Sequence, residues 1–159
     1  MNVRWRCVGA DDAEAAVIKL VSRGTVSHVE FIIGDDGLHT LGARADGGVA
    51  IRPINYAVFQ IDLRFQTECS QDQYDKLTAF LGAQLGKPYN YIDLLAILAN
   101  RDWRDTSSWI CSELWAAALE VSGLIGRLDA SVNLFTPEEA LIVSSAMFTA
   151  TPTPLQGAL

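Results

Sequence analysis

The chain has few of the residues that announce disulfide, metal or nucleic-acid chemistry. Its three cysteines, Cys7, Cys69 and Cys111, lie far apart in 159 residues. An odd count with no close pairing supports neither a disulfide framework nor a tetrahedral zinc site, so reduced thiols are expected and no metal or other cofactor is indicated. There is no basic run, and the net charge is -7. A groove for nucleic acid needs clustered Lys and Arg against the phosphates, so that class of partner is excluded. A long uninterrupted apolar run is also missing. The best candidate, residues 109–126, carries Glu113 and Glu120 and has helical periodicity, which argues against a membrane span and a membrane partner. The amino terminus places Arg4 and Arg6, then Asp11, Asp12 and Glu14, where a signal peptide would be apolar. No segment repeats another.

What is present suits one folded unit. A hydrophobic fraction of 50% over this length can build a single sizeable core. One domain is expected over residues 1–148, with a flexible tail over 149–159.

Periodicity and turn chemistry predict α+β architecture, a small antiparallel sheet packed with helices. Residues 3–8 read as a strand. Asp11 or Asp12 can cap a helix to about Ser22, stopped at Gly24, with Ala13, Val17, Leu20 and Val21 as its buried stripe. Residues 26–33 and 38–43 read as a hairpin around Gly34-Asp35-Asp36-Gly37, followed by strands over 49–54 and 58–65. Ser70 and Gln73 form a capping box for a helix whose apolar face is Tyr74, Leu77, Phe80, Leu81 and Leu85, closed by Gly86. A short helix over 91–99 and a polar loop over 100–108 come next. Ser107 or Ser108 can cap a helix that buries Leu114, Ala117, Ala118, Val121 and Ile125, and Thr136-Pro137-Glu138-Glu139 opens a last helix toward Ala146.

The chemistry is concentrated in two places. Cys111 falls in the first turn of its helix, where free backbone N–H groups and the helix dipole favour the thiolate, the reactive form of cysteine. Ser107, Ser108, Ser112 and Glu113 surround it with polar groups. His28 lies far upstream on a strand. A thiol at a helix start and an imidazole on a rigid strand are the parts of a nucleophile and its base.

Five segments, taken in order, resemble the permuted papain-like cysteine hydrolases of the NlpC type, including yiiX-like and bacteriophage-borne members. They are Ser27-His28-Val29-Glu30-Phe31; Leu41-Gly42-Ala43-Arg44 leading to Gly47-Gly48-Val49 and Arg52-Pro53; Gly86-Lys87-Pro88-Tyr89-Asn90; Trp109-Ile110-Cys111-Ser112-Glu113-Leu114; and Thr136-Pro137. In the permuted group the histidine strand precedes the cysteine helix, as it does here. The resemblance spans about residues 3–145.

It implies a circularly permuted papain-like fold and a cysteine peptidase or amidase. Cys111 would be the nucleophile and His28 the base, acting on an amide substrate such as cell-wall peptidoglycan peptide. It also implies a cytoplasmic or virion-associated protein, with virion proteins as further partners. The alternatives are thioester or ester hydrolysis or acyl transfer by the same thiol, and a non-catalytic phage assembly or binding module.

The chain departs from the family where a polar residue usually follows on the next strand, since Leu41 and Gly42 stand there. A turn over residues 34–37 would pair Ile33 with Leu38 and Glu30 with Leu41, leaving Glu30 on the face of His28 as the third catalytic residue. In that register His39 shares the face and is the fallback, and Thr40 lies on the other. Tyr89, Trp109 and Ser112 are the expected substrate-binding residues, with Trp103 as another cleft aromatic and Arg44 and Arg52 as candidates for a substrate carboxylate.

Overall fold

In the first strand apolar and polar side chains alternate, so one sheet face can be buried under helices while the other carries charge. The structure, a computed structural model, describes residues 1–11, 13–90, 107–128 and 135–152. The expected helix over 91–99, the loop over 100–106 with Trp103, and Asp12 as a cap lie outside the described residues. The elements are β1 (Asn2–Gly9), α1 (Ala13–Ser22), β2 (His28–Ile33), β3 (His39–Arg44), β4 (Gly48–Pro53), β5 (Ile61–Glu68), α2 (Gln71–Gln84), α3 (Cys111–Ser122), α4 (Pro137–Met147) and β6 (Thr149–Thr151). The strands form a six-stranded antiparallel sheet in the order β4-β3-β2-β1-β5-β6. The expected α+β architecture is therefore present, with one addition. Residues 149–151, expected in a frayed tail, pair with β5, because an unpaired strand edge beside them offers backbone partners.

One face of the sheet makes the main core. Val3, Trp5, Cys7, Val29, Phe31, Leu41, Ala43, Val49 and Phe65 pack against Leu77 and Leu81 of α2, Leu114, Trp115, Ala118 and Leu119 of α3, and Ala140 of α4. Burying large aromatic and branched side chains of this kind contributes roughly 1.5–3 kcal/mol each. Trp5 also donates its Nε1–H to Ser144 Oγ at 2.8 Å, so its polar edge is satisfied inside the core.

Several helix expectations shift by a face. Among the described side chains of α1, Ala15 and Ile18 are buried, while Leu20 is 80% exposed and Val17 is exposed as well; the side chains of Ala13 and Val21, also expected in the stripe, lie outside those described. Ala15 packs with Val8, Ala10 and Phe59 in a second, smaller apolar cluster. In α3 Val121 is exposed, and Trp115 and Leu119 complete the buried stripe. The α2 and α4 capping boxes form as the sequence implies, with Ser70 Oγ accepting from Gln73 N–H and Thr136 Oγ1 from Glu139 N–H.

Candidate active site

His28 opens β2, and the segment before it is held from two sides. Ser27 N–H donates to Val8 O at 2.9 Å, and Glu138 at the start of α4 accepts from Thr25 N–H at 2.8 Å and Val26 N–H at 3.3 Å. Cys111 is the first residue of α3, as expected, but neither serine caps that helix. Ile110 is the cap position, and Glu113 reaches back so that Oε2 accepts from Ile110 N–H at 3.2 Å. A glutamate at the third helical position can satisfy this donor without help from a capping hydroxyl.

The approach to Cys111 is fixed to the far edge of the sheet. Val49 N–H donates to Lys87 O, Gly86 N–H to Val49 O, Trp109 N–H to Pro88 O and Asn90 N–H to Trp109 O. Gly48 makes this possible. Its φ is +66°, and a Cβ there would lie 2.2 Å from Lys87 O.

The side chains of Cys111 and His28 are hydrogen-bonded to each other, and the backbone N–H groups of Val29 and Ser112 also donate to the sulfur. His28 Nε2 lies 3.2 Å from Glu30 Oε2. The structure thus brings Cys111, His28 and Glu30 into one chain of contacts, with Cys111 only 3% exposed. Burial opposes charge on all three groups, and in each case specific partners outweigh it. The Cys111 thiol is held below its ordinary range by the neighbouring imidazole and the two N–H donors. His28, with Cys111 and Glu30 beside it, is pushed up to about 9, and Glu30, beside His28 and Arg6, is held down to about 2. Cys7 gives the contrast. Buried in the apolar core, its thiol is pushed up to about 12.

The β2–β3 register differs from expectation by one residue. Ile33 pairs with His39, Ile32 with Thr40 and Phe31 with Leu41. Gly37 N–H bonds Gly34 O and Asp36 Oδ1 accepts from Leu38 N–H, so the turn consumes Leu38 as well. Every β3 side chain changes face as a result. His39 joins the core-side face at an exposed strand end and drops out as an orienting residue, Thr40 joins the Glu30 face, and Gly42 comes to lie against Glu30. A Cβ on Gly42 would lie 2.8 Å from Glu30 Cβ and 3.3 Å from His28 Nε2. The position that seemed vacant is the space the carboxylate and the imidazole occupy.

The expected substrate-binding residues separate. Trp109 is core, donating Nε1–H to Gln84 Oε1 at 3.0 Å and meeting Phe80 edge-on at 6.0 Å. Ser112 is fully buried, with its hydroxyl given to Phe135 O, so it presents its backbone N–H rather than its side chain to the sulfur. Tyr89 remains at the site, lining a cavity of about 20 Å³ with Ala10, Ala15, Ile18, Ser27, His28 and Arg44. That volume admits about one water. Arg44 binds Asp46 and donates to Tyr56 OH at 3.3 Å, whereas Arg52 turns to the carbonyls of Gly42, Ala50 and Gly48.

Three contributors were not anticipated. Arg6 donates Nε–H to Glu30 Oε1 at 2.7 Å, Tyr56 OH lies 3.3 Å from Glu30 Oε2, and Gly42 leaves the room just described. A signal for Arg6 was readable, since an arginine between Trp5 and Cys7 in a strand must face away from the core. Tyr56, in the loop over residues 54–60, left none.

No protein-family model matches the chain, and a comparison with curated proteins finds no match. Among solved structures one match is the crystal structure of the metalloprotein yiiX from Escherichia coli O157:H7, DUF1105, with a TM-score of 0.60 and 17% identity over 79% of this chain and 67% of that one. Among the described residues here, no three His, Cys, Asp or Glu side chains are grouped to hold a metal ion. Glu30, the carboxylate nearest His28, has one oxygen on Arg6 and the other on His28 and Tyr56. These residues do not fit a metal centre. What the comparison establishes is the architecture: the chain shares its α+β fold with the yiiX structure.

Proposed function

We propose that the chain is a permuted papain-like cysteine hydrolase that cleaves an amide through Cys111 and His28. The observation that carries this reading is the Cys111–His28 hydrogen bond at a helix start, backed by a buried carboxylate. The pair rests as thiolate and imidazolium. The sulfur attacks the carbonyl carbon, and the charge passes to the oxygen, where the Ser112 N–H donates to it. Collapse expels the amine, which takes the imidazolium proton, and leaves an acyl thioester. Neutral His28 then accepts a proton from water, the hydroxide displaces the thiolate, and the acid leaves. Glu30 orients the ring throughout.

Peptidoglycan peptide is the first substrate to assay, on the strength of the sequence resemblance, and a cytoplasmic or virion-associated role belongs to the same reading. No helix among the described residues is long and apolar enough to cross a membrane. Cys111→Ser should retain the fold by circular dichroism and lose turnover of such peptides, because a hydroxyl is far harder to ionise. Undiminished cleavage by the serine variant would contradict a covalent thiol mechanism. Cleavage of acyl thioesters but of no peptide would transfer the assignment to the thioester or acyl-transfer alternative.

A further inference from the structure

We infer that Arg6 is a positioning residue for this site: from the neighbouring strand it fixes the Glu30 carboxylate in the orientation that presents one oxygen to His28. The inference rests on the cysteine-hydrolase reading above and adds a residue to it. Arg6 lies directly across from Glu30 in the β1–β2 ladder. Two of its nitrogens converge on Glu30 Oε1, Nε at 2.7 Å and a terminal nitrogen at 2.6 Å. That leaves Oε2 for the imidazole. The same terminal nitrogen donates to Ile54 O at 2.8 Å, and the other lies 3.3 Å from Asp62 Oδ2. The guanidinium carbon is 4.9 Å from the Phe59 ring centroid. With donors spent on three acceptors and a ring over its face, the guanidinium cannot rotate, and the carboxylate cannot rotate against it.

Electrostatics require the same residue. Arg6 and Glu30 are both almost wholly buried, and a carboxylate removed from water stays ionised only when paired. The charged and titratable groups facing Glu30 are Arg6 from β1, His28 on its own strand and Tyr56 from the loop over residues 54–60. Asp62 of β5, itself bridged to Arg64, stands behind Arg6. His28 additionally faces Cys111 from α3 and shares its cavity with Arg44 of β3 and Tyr89. Within this set Arg6 is the cation that makes two contacts with Glu30. Without it the buried carboxylate would retain a proton to higher pH, the imidazolium would lose its counter-charge, and Cys111 would hold its proton in turn.

The test is carbamidomethylation of Cys111 by iodoacetamide as a function of pH, read by peptide mass spectrometry on the full chain, for the wild type, Arg6→Gln and Arg6→Lys. A purely structural role would lower the melting temperature without moving the pH profile of the folded protein. The expected result is a Cys111 rate–pH profile whose midpoint moves up by about one unit in Arg6→Gln, which is about a tenfold lower rate at any pH below the wild-type midpoint, with a smaller shift in Arg6→Lys. Lysine keeps the charge but not the two-nitrogen grip, so it decides the matter even if the glutamine variant does not fold. If the wild-type thiol reacts at low pH and Arg6→Lys has the same profile, Arg6 is not a positioning residue. If the wild-type thiol itself reacts only near pH 8.5, the cysteine-hydrolase reading fails first.

Discussion

On one face of the sheet Trp5, Phe31, Leu41 and Phe65 are sealed beneath α2, α3 and α4. One residue along the same strands, Arg6, Glu30 and Arg64 line the other face with charge. The strands are shared, so the difference is entirely one of side-chain parity. The apolar face is a packing problem solved by shape and area. The polar face holds an ion network, Arg64–Asp62–Arg6–Glu30–His28, that gains little stability from its charges and in exchange holds one imidazole in a defined state. Cys111 joins the two. It is counted in the apolar core, yet its sulfur bonds the histidine that ends the polar network.

Substitution on the core face should have the largest effect. Trp5→Ala removes a fully buried ring and its bond to Ser144, and should cost about 3–5 kcal/mol in urea unfolding. The fraction still folded should keep the reactive Cys111. Loss of thiol reactivity in that folded fraction would mean that the two faces are not separable.

Gly42→Ala tests the opposite face with a single methyl. Clashing with Glu30 Cβ at 2.8 Å and crowding His28, it should destabilise by about 1–3 kcal/mol and lower the Cys111 alkylation rate at neutral pH. An unchanged rate would show that the space opposite Glu30 is incidental.

Glu30→Gln should be milder for the fold and should sharpen the pH dependence. The native carboxylate titrates at about 2, below its ordinary value, so it contributes stability that is present above the ordinary carboxylate range and lost as pH falls toward 2. His28 is raised to about 9, so its contribution is present below the ordinary imidazole range and lost as pH rises through about 9. In Glu30→Gln the acid limb of a stability–pH curve should flatten and the alkaline limb should move to lower pH. Turnover should fall as well. His39→Ala, by contrast, should change turnover and stability by no more than about 0.5 kcal/mol, because that side chain sits exposed on the other face. The reverse ranking would restore His39 as the orienting residue.

Much of this division was legible in the sequence. The positions of β1, β2, α2, α3 and α4, and the conjunction of a strand histidine with a helix-start cysteine, follow from periodicity and capping chemistry that act within a few residues. The β2–β3 register was not legible, because it turns on whether Asp36 folds back onto Leu38 N–H, and a single extra turn residue inverts a strand. The proximity of Glu30 to His28 does not depend on that register. Two residues apart on one strand, they share a face whatever β3 does. The partners of the Trp109 and Ser112 side chains were not legible for a related reason: spacing puts both residues next to the thiol, while their side-chain polar atoms meet Gln84 and Phe135, which lie far away in sequence. Arg6 shows the remaining limit, since alternation gives its face but cannot name the carboxylate it meets.

The central claim is that Cys111 rests as a thiolate held by His28. The most direct measurement is the pH dependence of Cys111 alkylation, mapped by mass spectrometry apart from Cys7 and Cys69, in the wild type and in His28→Ala. Wild-type Cys111 should react at full rate well below the pH of about 8.5 at which an ordinary thiol ionises, and His28→Ala should move its profile up to that value or beyond. Matching profiles for the two proteins, both centred at or above about 8.5, would contradict the claim.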